Sequence, residues 1–475
     1  MLEGRCLLTS REITSLCHPE SKWSYMSCMI DLNGKRPLEI DGHDDCHHQR
    51  NKSLKLSNSR KTAGTSREQS DDDQGSDDNL QSEDNQQADD QGSDDNLQSE
   101  DNQQADDHQQ SNAGHSSDLD SLIQPIGRDN SISCLIRCSR SDYGSIASLN
   151  QSFRSLIRSG ELYRLRRLNG VIEHWVYFSC HLLEWEAFDP IRRRWMHLPR
   201  MTSNECFMCS DKESLAVGTE LLVFGRELTA HHISHVIYRY SILTNSWSSG
   251  MRMNAPRCLF GSASLGEIAI LAGGSDLEGN ILSSAEMYNS ETQTWKILPS
   301  MKSPRKMCSG VFMDGKFYVI GGIGGSDSKV LTCGEEYDLE TETWTEIPNM
   351  SPARGGAARG TEMPASAEAP PLVAVVNNEL YAADYADMEV RKYDKQRRLW
   401  FTIGRLPERA NSMNGWGLAF RACGDRLIVI GGPKASGEGF IELNSWVPSE
   451  GPPQWNLLAR KQSANFVYNC AVMGC

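Results

Sequence analysis

The sequence Ile268-Ala269-Ile270-Leu271-Ala272-Gly273-Gly274 decides the fold, because the pattern that begins with it occurs again further along the chain. The apolar run and its paired glycines are followed by Tyr288 and by Trp295. A second copy comes directly after, with the same order of residue types: Tyr318-Val319-Ile320, Gly321-Gly322, Tyr337 and Trp344. The two glycine pairs lie 48 residues apart and the two tryptophans 49. A period near fifty residues predicts that this part of the chain consists of repeated structural units.

Each segment of the repeat suits one part of an antiparallel sheet. An apolar, β-branched run is typical of a strand that is covered on both faces. Paired glycines at its end permit positive φ angles and the close approach of another backbone segment. A large aromatic residue buries a wide ring and still offers a polar edge to a hydrogen-bond partner. The repeat therefore predicts small sheets that pack face to face, with Tyr288 and Trp295 filling the space between them.

Six tryptophans mark six copies of the repeat, at spacings of 52, 48, 49, 56 and 55 residues. They are Trp195, Trp247, Trp295, Trp344, Trp400 and Trp455. The order of apolar run, Gly-Gly, Tyr and Trp resembles a kelch repeat, whose units are the four-stranded blades of a β-propeller. The resemblance implies an all-β, six-bladed kelch β-propeller over residues 171–475.

The two ends of the repeat region complement each other. The first copy begins at the segment His174–Cys180, which has the position of a second strand, and no suitable strand precedes it. After Trp455 one apolar segment is left over, Ala464–Val472. We expect this segment to complete the first blade, because closing the ring in this way removes the exposed sheet edges.

Residues 118–168 differ from the repeats, because their apolar residues recur at helical spacing. Apolar residues three or four positions apart predict one face of an amphipathic helix. We expect this helix to end at Gly160. The apolar face comprises Ile146, Leu149, Phe153, Leu156 and Ile157. The segment Leu149-Asn150-Gln151-Ser152-Phe153-Arg154-Ser155-Leu156-Ile157 resembles the last helix of an F-box, with Phe153 in place of the usual tryptophan. The resemblance implies a small all-α F-box-like module before the propeller.

An F-box-like module followed by kelch repeats resembles a large plant family over residues 118–475. In that family the F-box binds a Skp-type adaptor of a cullin–RING ubiquitin ligase, and the kelch domain holds a protein substrate. The resemblance implies the substrate-recognition subunit of an SCF-type E3 ligase, which is not itself an enzyme. The adaptor contact is expected among Leu122, Ile123, Pro125, Ile126, Leu135, Ile136, Leu149, Phe153, Leu156 and Ile157. Two alternatives stay open: a helical segment that only caps the propeller, and a kelch scaffold protein that acts outside ubiquitination.

One charged residue type recurs in register with the repeats. An arginine follows the tryptophan by nine or ten residues in four copies: Arg257, Arg305, Arg354 and Arg409. Such arginines could surround one mouth of the propeller and bind carboxylates or carbonyl groups of a substrate. The alternative is a structural arginine that bonds backbone carbonyls between blades in every repeat.

The composition of residues 1–115 predicts a disordered, acidic N-terminal region. Residues 68–107 contain sixteen Asp or Glu and no Lys or Arg, and the 17-residue segment 74–90 is duplicated as 91–107. A tract of this kind buries too little apolar surface to offset the entropy of ordering it. It serves either as an interaction tail or as a solvated spacer.

Charge and cysteine content exclude several other classes of protein. The net charge of −15 comes from the acidic tract, because the remainder has 47 acidic and 48 basic residues. This balance does not favour nucleic acid or a membrane as a partner. Fifteen scattered cysteines and no visible secretory signal indicate free thiols in the nucleus or the cytoplasm. Lone histidine and cysteine clusters lack the spacing of metal sites, so we expect no metal and no cofactor.

Overall fold

The structure is a computed structural model that describes residues 122–123, 126–181, 183–203, 207–228, 233–325, 329–352, 368–409, 414–432, 439–463 and 466–475. The acidic N-terminal region lies outside these residues, so its disorder stays a prediction. Within the described ranges, no helix has both the length and the apolar character needed to cross a bilayer.

Six antiparallel four-stranded sheets form the six blades of a β-propeller, as the repeat predicts. Blade 1 contains β1 (His174–His181), β2 (Glu184–Asp189) and β3 (Arg194–His197). Blade 2 contains β4 (Phe207–Val217), β5 (Glu220–Leu228), β6 (Ile233–Ser241) and β7 (Ser246–Ser249). Blade 3 contains β8 (Gly261–Leu265), β9 (Ile268–Ala272), β10 (Ala285–Asn289) and β11 (Thr294–Leu298).

The remaining blades follow in chain order. Blade 4 contains β12 (Ser309–Met313), β13 (Lys316–Ile320), β16 (Gly334–Asp338) and β17 (Thr343–Ile347), with a small hairpin of β14 (Ile323–Gly324) and β15 (Lys329–Val330). Blade 5 contains β18 (Val373–Val376), β19 (Glu379–Asp384), β20 (Glu389–Asp394) and β21 (Leu399–Arg405). Blade 6 contains β22 (Ala419–Cys423), β23 (Arg426–Gly431), β24 (Phe440–Trp446) and β25 (Asn456–Gln462).

The last strand, β26 (Asn469–Gly474), closes the ring as the sequence predicts. It pairs antiparallel with β1 from His174 opposite Gly474 to Ser179 opposite Asn469, and it forms the inner edge of blade 1. It starts later than the predicted segment Ala464–Val472 and reaches two residues further. The inner strands β26, β4, β8, β12, β18 and β22 lie next to one another around a closed ring.

The paired glycines after β9 and β13 make close backbone contacts possible. Gly273 and Gly274 have φ angles of +70° and +97°. A Cβ atom on Gly274 would lie 2.5 Å from the carbonyl oxygen of Cys258, and one on Gly322 would lie 2.5 Å from that of Lys306. Neither distance is sterically possible for a side chain, which explains why glycine recurs here.

The recurring tryptophans join neighbouring blades. The indole nitrogen of Trp344 donates to the carbonyl of Pro299 at 2.7 Å, and that of Trp247 donates to Pro199 at 2.7 Å. In each case the acceptor lies in the connection that leaves the preceding blade. The same bond is made by Trp295, Trp400 and Trp455. The repeated aromatic residue thus buries its ring and satisfies its N–H, as its residue type predicts.

Within the described residues, four helices precede the propeller and form the helical module. They are α1 (Gly127–Leu135), α2 (Tyr143–Leu149), α3 (Gln151–Arg158) and α4 (Glu161–Leu168). A 3-10 turn, Arg140–Asp142, leads into α2. Gly160 separates α3 from α4 with a φ angle of +78°, in agreement with its predicted role as a stop.

Candidate partner-binding surfaces

The helical module contradicts the prediction of one continuous apolar helix through Ile146 and Ile157. The backbone is extended at Asn150, with φ −158° and ψ 176°, so the segment forms two helices. The Asn150 side chain accepts a hydrogen bond from the Phe153 amide at 2.9 Å, which caps the start of α3. The asparagine therefore offers a cap that competes with a continuous helix, and Leu149 is left at the exposed end of α2.

The apolar side of α3 is buried in a core that the module shares with the propeller. Phe153, Leu156 and Ile157 belong to the same cluster of buried side chains as Trp175 and Tyr177 of β1. Burial of one such side chain stabilises the fold by about 1.5–3 kcal/mol. The module and blades 1 and 2 therefore share one continuous core.

Two buried arginines reinforce this contact. Arg140 donates to the hydroxyl of Tyr177 at 3.0 Å and to the Glu173 carbonyl at 3.2 Å, and its guanidinium lies 4.8 Å from the Trp175 ring centroid. Arg166 is fully buried and donates to the Ile136 carbonyl at 2.8 Å. It also lies 3.4 Å from the Glu173 carboxylate. Arg140 and Arg166 thus both contact Glu173, a residue that leads into β1.

The ten residues predicted to bind an adaptor occupy different environments. Leu135, Ile136, Phe153, Leu156 and Ile157 are buried in the shared core and are not accessible to a partner in this conformation. Leu122 and Ile123 are half-buried against the same core. Ile126 is 39% exposed and Leu149 is 70% exposed. Pro125 lies outside the described residues. Among the accessible residues, Leu149 presents the most apolar surface.

The recurring arginines are buried within the blades. Arg305 is fully buried and lies 2.6 Å from the Glu335 carboxylate of β16. It also donates to the carbonyl of Gly321 at 3.1 Å. Arg257 makes the equivalent contacts one blade earlier, with the Glu286 carboxylate at 2.9 Å and the Gly273 carbonyl at 3.2 Å. Each arginine lies in the connection that enters its blade. Its bonds therefore link this connection to residues of the two middle strands of the blade, or directly after them.

Arg409 repeats this arrangement in blade 6, with a nitrogen 3.3 Å from the Glu442 carboxylate. Burial lowers the pKa of Arg409 to about 10, and it lowers the pKa of Arg257 as well. Arg354 lies outside the described residues. For the three described arginines, the positions favour the structural alternative over a ring of substrate contacts. Their register in the repeat was already the signal of that role.

A cavity of about 270 Å³ lies on the propeller axis, surrounded by the inner strands of all six blades. Its wall is mostly small or apolar, with serine, alanine, glycine and valine side chains. The charged residues that line it are Lys212, Glu213 and Arg421. A bulge in β4 between Cys209 and Ser214 places Lys212 and Glu213 at the cavity. The sequence analysis did not single out these residues.

Glu213 is a buried carboxylate with an unusual environment. Its carboxylate accepts a hydrogen bond from the Leu259 amide, and its second oxygen has no partner among the described residues. Burial raises its pKa to about 7, although the Leu259 amide and Ser210 oppose this shift. A signal in the sequence was the polar run Ser210-Asp211-Lys212-Glu213-Ser214, which interrupts an otherwise apolar strand. In the described part of the chain, no group of three or more His, Cys, Asp or Glu side chains could hold a metal ion.

Six blades with this internal pattern and a helical module packed on two of them define a kelch-propeller protein with an F-box-like segment. The family model of the Kelch motif matches residues 256–302 and 304–351. F-box/kelch-repeat protein SKIP11 of Arabidopsis thaliana is 74% identical over 365 residues, which is 77% of each chain. F-box/kelch-repeat proteins At1g26930 and At1g74510 of the same plant are 58% and 56% identical, over 100% of both chains. The chain belongs to the F-box/kelch-repeat protein family.

Proposed function

We propose that this protein is the substrate-recognition subunit of an SCF-type cullin–RING ubiquitin ligase. The helical module binds a Skp-type adaptor, and the propeller binds a protein substrate. The protein itself performs no chemistry, and it works in the nucleus or the cytoplasm. The observation that carries this proposal is the joining of an F-box-like module to a kelch propeller through one core, in a chain whose relatives are named F-box/kelch-repeat proteins.

The shared core gives the proposal a physical basis. A substrate-recognition subunit has to hold its substrate at a fixed distance and orientation from the ligase. A module connected by a flexible linker would sample many orientations. Here Arg140 and Arg166 bond residues on both sides of the junction, and Phe153 packs in the same core as Trp175. The module and the propeller therefore support each other's orientation.

The substrate site lies on the propeller but does not depend on the recurring arginines. Arg257, Arg305 and Arg409 are occupied by contacts within their blades. The axial cavity combines apolar walls with Lys212, Glu213 and Arg421, which suits a short protein segment with both apolar and charged groups. We propose the cavity and its rim as the first place to test for substrate contacts.

A kelch scaffold acting outside ubiquitination is the second candidate, and one observation favours it. Five of the ten residues predicted to bind the adaptor are buried, as they would be in a helical segment that only caps the propeller. If that is its function, the module has lost the adaptor contact and has a structural role alone.

Reconstitution from purified components separates the two candidates. The full chain is mixed with a plant Skp-type adaptor and a cullin, and the mixture is analysed by size-exclusion chromatography and light scattering. We expect one complex that contains all three chains. A known F-box protein provides the positive control, and a kelch propeller without a helical module provides the negative one. Separate elution of this chain from an adaptor that binds the positive control would favour the scaffold.

A further inference from the structure

The charged residues of the axial cavity lie together on one side of it. Lys212 and Glu213 belong to β4, and Arg421 belongs to β22. These two strands flank β26 in the ring of inner strands. The inner strands on the other side, β8, β12 and β18, line the cavity with serine, glycine and apolar residues. The cavity therefore has a charged side and an apolar side.

Two cations from different blades meet at the start of β26. The Nε atom of Arg421 donates to the Cys470 carbonyl at 3.0 Å. The amide of Lys212 donates to the Tyr468 carbonyl at 2.9 Å, and its ammonium bonds the carbonyl of Leu418, the residue before β22. Burial raises the pKa of the Cys470 thiol, and the charges of Arg421 and Lys212 oppose this rise. Both cations therefore lie close to the same residue of β26.

The positive charge on this side of the cavity is not balanced. Arg421 bonds only the backbone carbonyls of Cys470 and Phe420, and no ion pair is found for it within the described ranges. Glu213 is the one carboxylate among the described residues that line the cavity. Even when ionised, it balances only one of the two cations. The charged side of the cavity is therefore positive.

The fold does not require an arginine at this position. Arg421 lies two residues before Cys423, which forms the last pair of its hairpin with Arg426. The same position in the hairpins of blades 2 to 5 is held by aliphatic residues that also line the cavity: Leu215, Ala263, Val311 and Ala374. Four blades thus form the same hairpin without a charge there, so the arginine indicates a role other than stability.

Lys212 reaches the cavity through a second departure from the repeat. It lies in the bulge between Cys209 and Ser214. Its φ angle of +66° falls in the left-handed region, which disfavours residues other than glycine. The corresponding hairpins of blades 3 to 6 pair without a shift in register. Blade 2 therefore departs from the repeat at the residue that brings the second cation to β26, and strain of this kind is typical of functional sites.

We propose that the charged side of the axial cavity binds a carboxylate of the protein substrate, contacted by Lys212 and Arg421 together, and that the apolar side holds the adjoining apolar side chains. Guanidinium and ammonium groups form strong charge-assisted hydrogen bonds with carboxylates, and low-dielectric walls concentrate their field. The volume of about 270 Å³ suits a few side chains of an extended segment. This inference rests on the proposed function and names the chemistry of the substrate.

Selection from random octapeptide libraries on the full chain tests the inference. One library is displayed on phage with constant residues on both sides, and a second is displayed with a free C-terminus. We expect the wild type to enrich peptides with Asp or Glu beside apolar residues, and Arg421→Gln to enrich no acidic residue. Enrichment in the second library alone, without Asp or Glu, would assign the carboxylate to the end of a chain.

The affinity of the most enriched peptide, measured by fluorescence anisotropy, locates the contact. Arg421→Gln and Lys212→Gln should each weaken binding by about tenfold or more. Removing the peptide carboxylate, by Glu→Gln or by a C-terminal amide, should weaken wild-type binding equally and add little to the effect of Arg421→Gln. Arg421→Lys keeps the charge but not the planar fork, so its affinity should be intermediate.

The matched control is Arg426→Gln, which removes the same charge from the other strand of the same hairpin. Arg426 bonds Asp425 at 3.0 Å and does not line the axial cavity, so we expect wild-type affinity. Circular dichroism and the melting temperature show that each variant is folded.

Three results would overturn the inference. They are the absence of any enriched peptide, enrichment of Lys or Arg, which would assign the contact to Glu213, and equal weakening by Arg426→Gln and Arg421→Gln. Binding of the adaptor is measured separately, by the reconstitution described above. The proposed function therefore stands if the adaptor binds and the preference for a carboxylate is absent, and it falls if the adaptor does not bind.

Discussion

Blade 1 has the same four-stranded form as blades 3 and 4, but it is assembled differently. Blade 4 comes from one continuous segment, and its Arg305 bonds Glu335 inside the blade. Blade 1 takes its inner strand β26 from the far end of the chain, opposite β1. Its core also continues into the helical module. The regular blades are thus stabilised by contacts that recur in each repeat, whereas blade 1 depends on contacts that occur once.

The difference shows which sequence signals are informative. A contact that every repeat makes requires the same residue type at the same position of each repeat, as with Trp344 and Arg305. A contact that is made once has no such record, and Arg140 and Arg166 give no periodic signal. Breaking contacts of the two kinds should therefore have different consequences.

Deletion of residues 463–475 should have the largest effect, because it removes β26. The deletion leaves β1 as an unpaired edge and removes Met473 and Cys475 from the core shared with the module. We expect loss of cooperative unfolding together with aggregation, measured by circular dichroism and light scattering. A truncated chain that is monomeric and melts at the wild-type temperature would show that another segment closes the ring.

Arg305→Ala should have the next largest effect, because it leaves the Glu335 carboxylate buried without its cation. Loss of one partner of a buried ion pair costs about 3–5 kcal/mol. Urea unfolding of the full chain measures this change in free energy. The control is Arg397→Ala, whose side chain is 81% exposed, with an expected change within about 0.5 kcal/mol. Equal changes in the two variants would mean that the buried pair contributes no net stability.

Most of the propeller could be predicted from the sequence, because its determinants are local and repeated. The run from Ile268 to Ala272 forms β9 with its predicted bounds, and Gly273-Gly274 makes the predicted close turn. The closure by β26 followed from counting strands in the first and last repeats. The register of Arg305 was recognised and favoured a structural role, but periodicity does not identify Glu335 as the carboxylate that it bonds inside the blade.

The candidate sites were harder to predict, because they depend on packing between distant segments. Helical spacing placed Phe153 and Leu149 on one stripe, but the cap at Asn150 separates them into a buried and an exposed residue. Apolar spacing identifies a face that will be buried without identifying what covers it. Burial raises the pKa of Glu213. Its carboxylate accepts a hydrogen bond from the amide of Leu259, a residue 46 positions away, and no local pattern contains that contact.

Glu213→Gln should change the pH dependence of stability. In contrast to Glu335, this carboxylate has no ion-pair partner at bonding distance among the residues that the structure describes. Burial raises its pKa from 4.5 to about 7. The folded state therefore holds the proton more tightly than the unfolded state. Stability falls as the pH rises from about 4.5 to about 7, by an amount on the order of 3 kcal/mol, and is level above that range.

Urea unfolding at about pH 5 and about pH 8 measures this loss, and the variant should lack most of it. The glutamine keeps the size of the side chain and an oxygen that accepts from the Leu259 amide. At about pH 8 the variant should therefore be more stable than the wild type. An equal loss of stability in both proteins would mean that another group titrates and that Glu213 is charged in the fold.

The last and smallest effect compares the junction of blade 1 with a regular junction directly. Trp247 bonds the Pro199 carbonyl at the exit of blade 1, and Trp344 bonds the Pro299 carbonyl between blades 3 and 4, both at 2.7 Å. Replacement by phenylalanine keeps an aromatic ring and removes the N–H donor. Each change should cost about 1 kcal/mol in urea unfolding. Because the two contacts share no residue and lie at different junctions, the double variant should lose the sum of the two within about 0.5 kcal/mol. A clearly larger loss for Trp247→Phe would show that the junction of blade 1 depends more on this bond than the junction of blades 3 and 4 does, since the chemical change is the same at both sites.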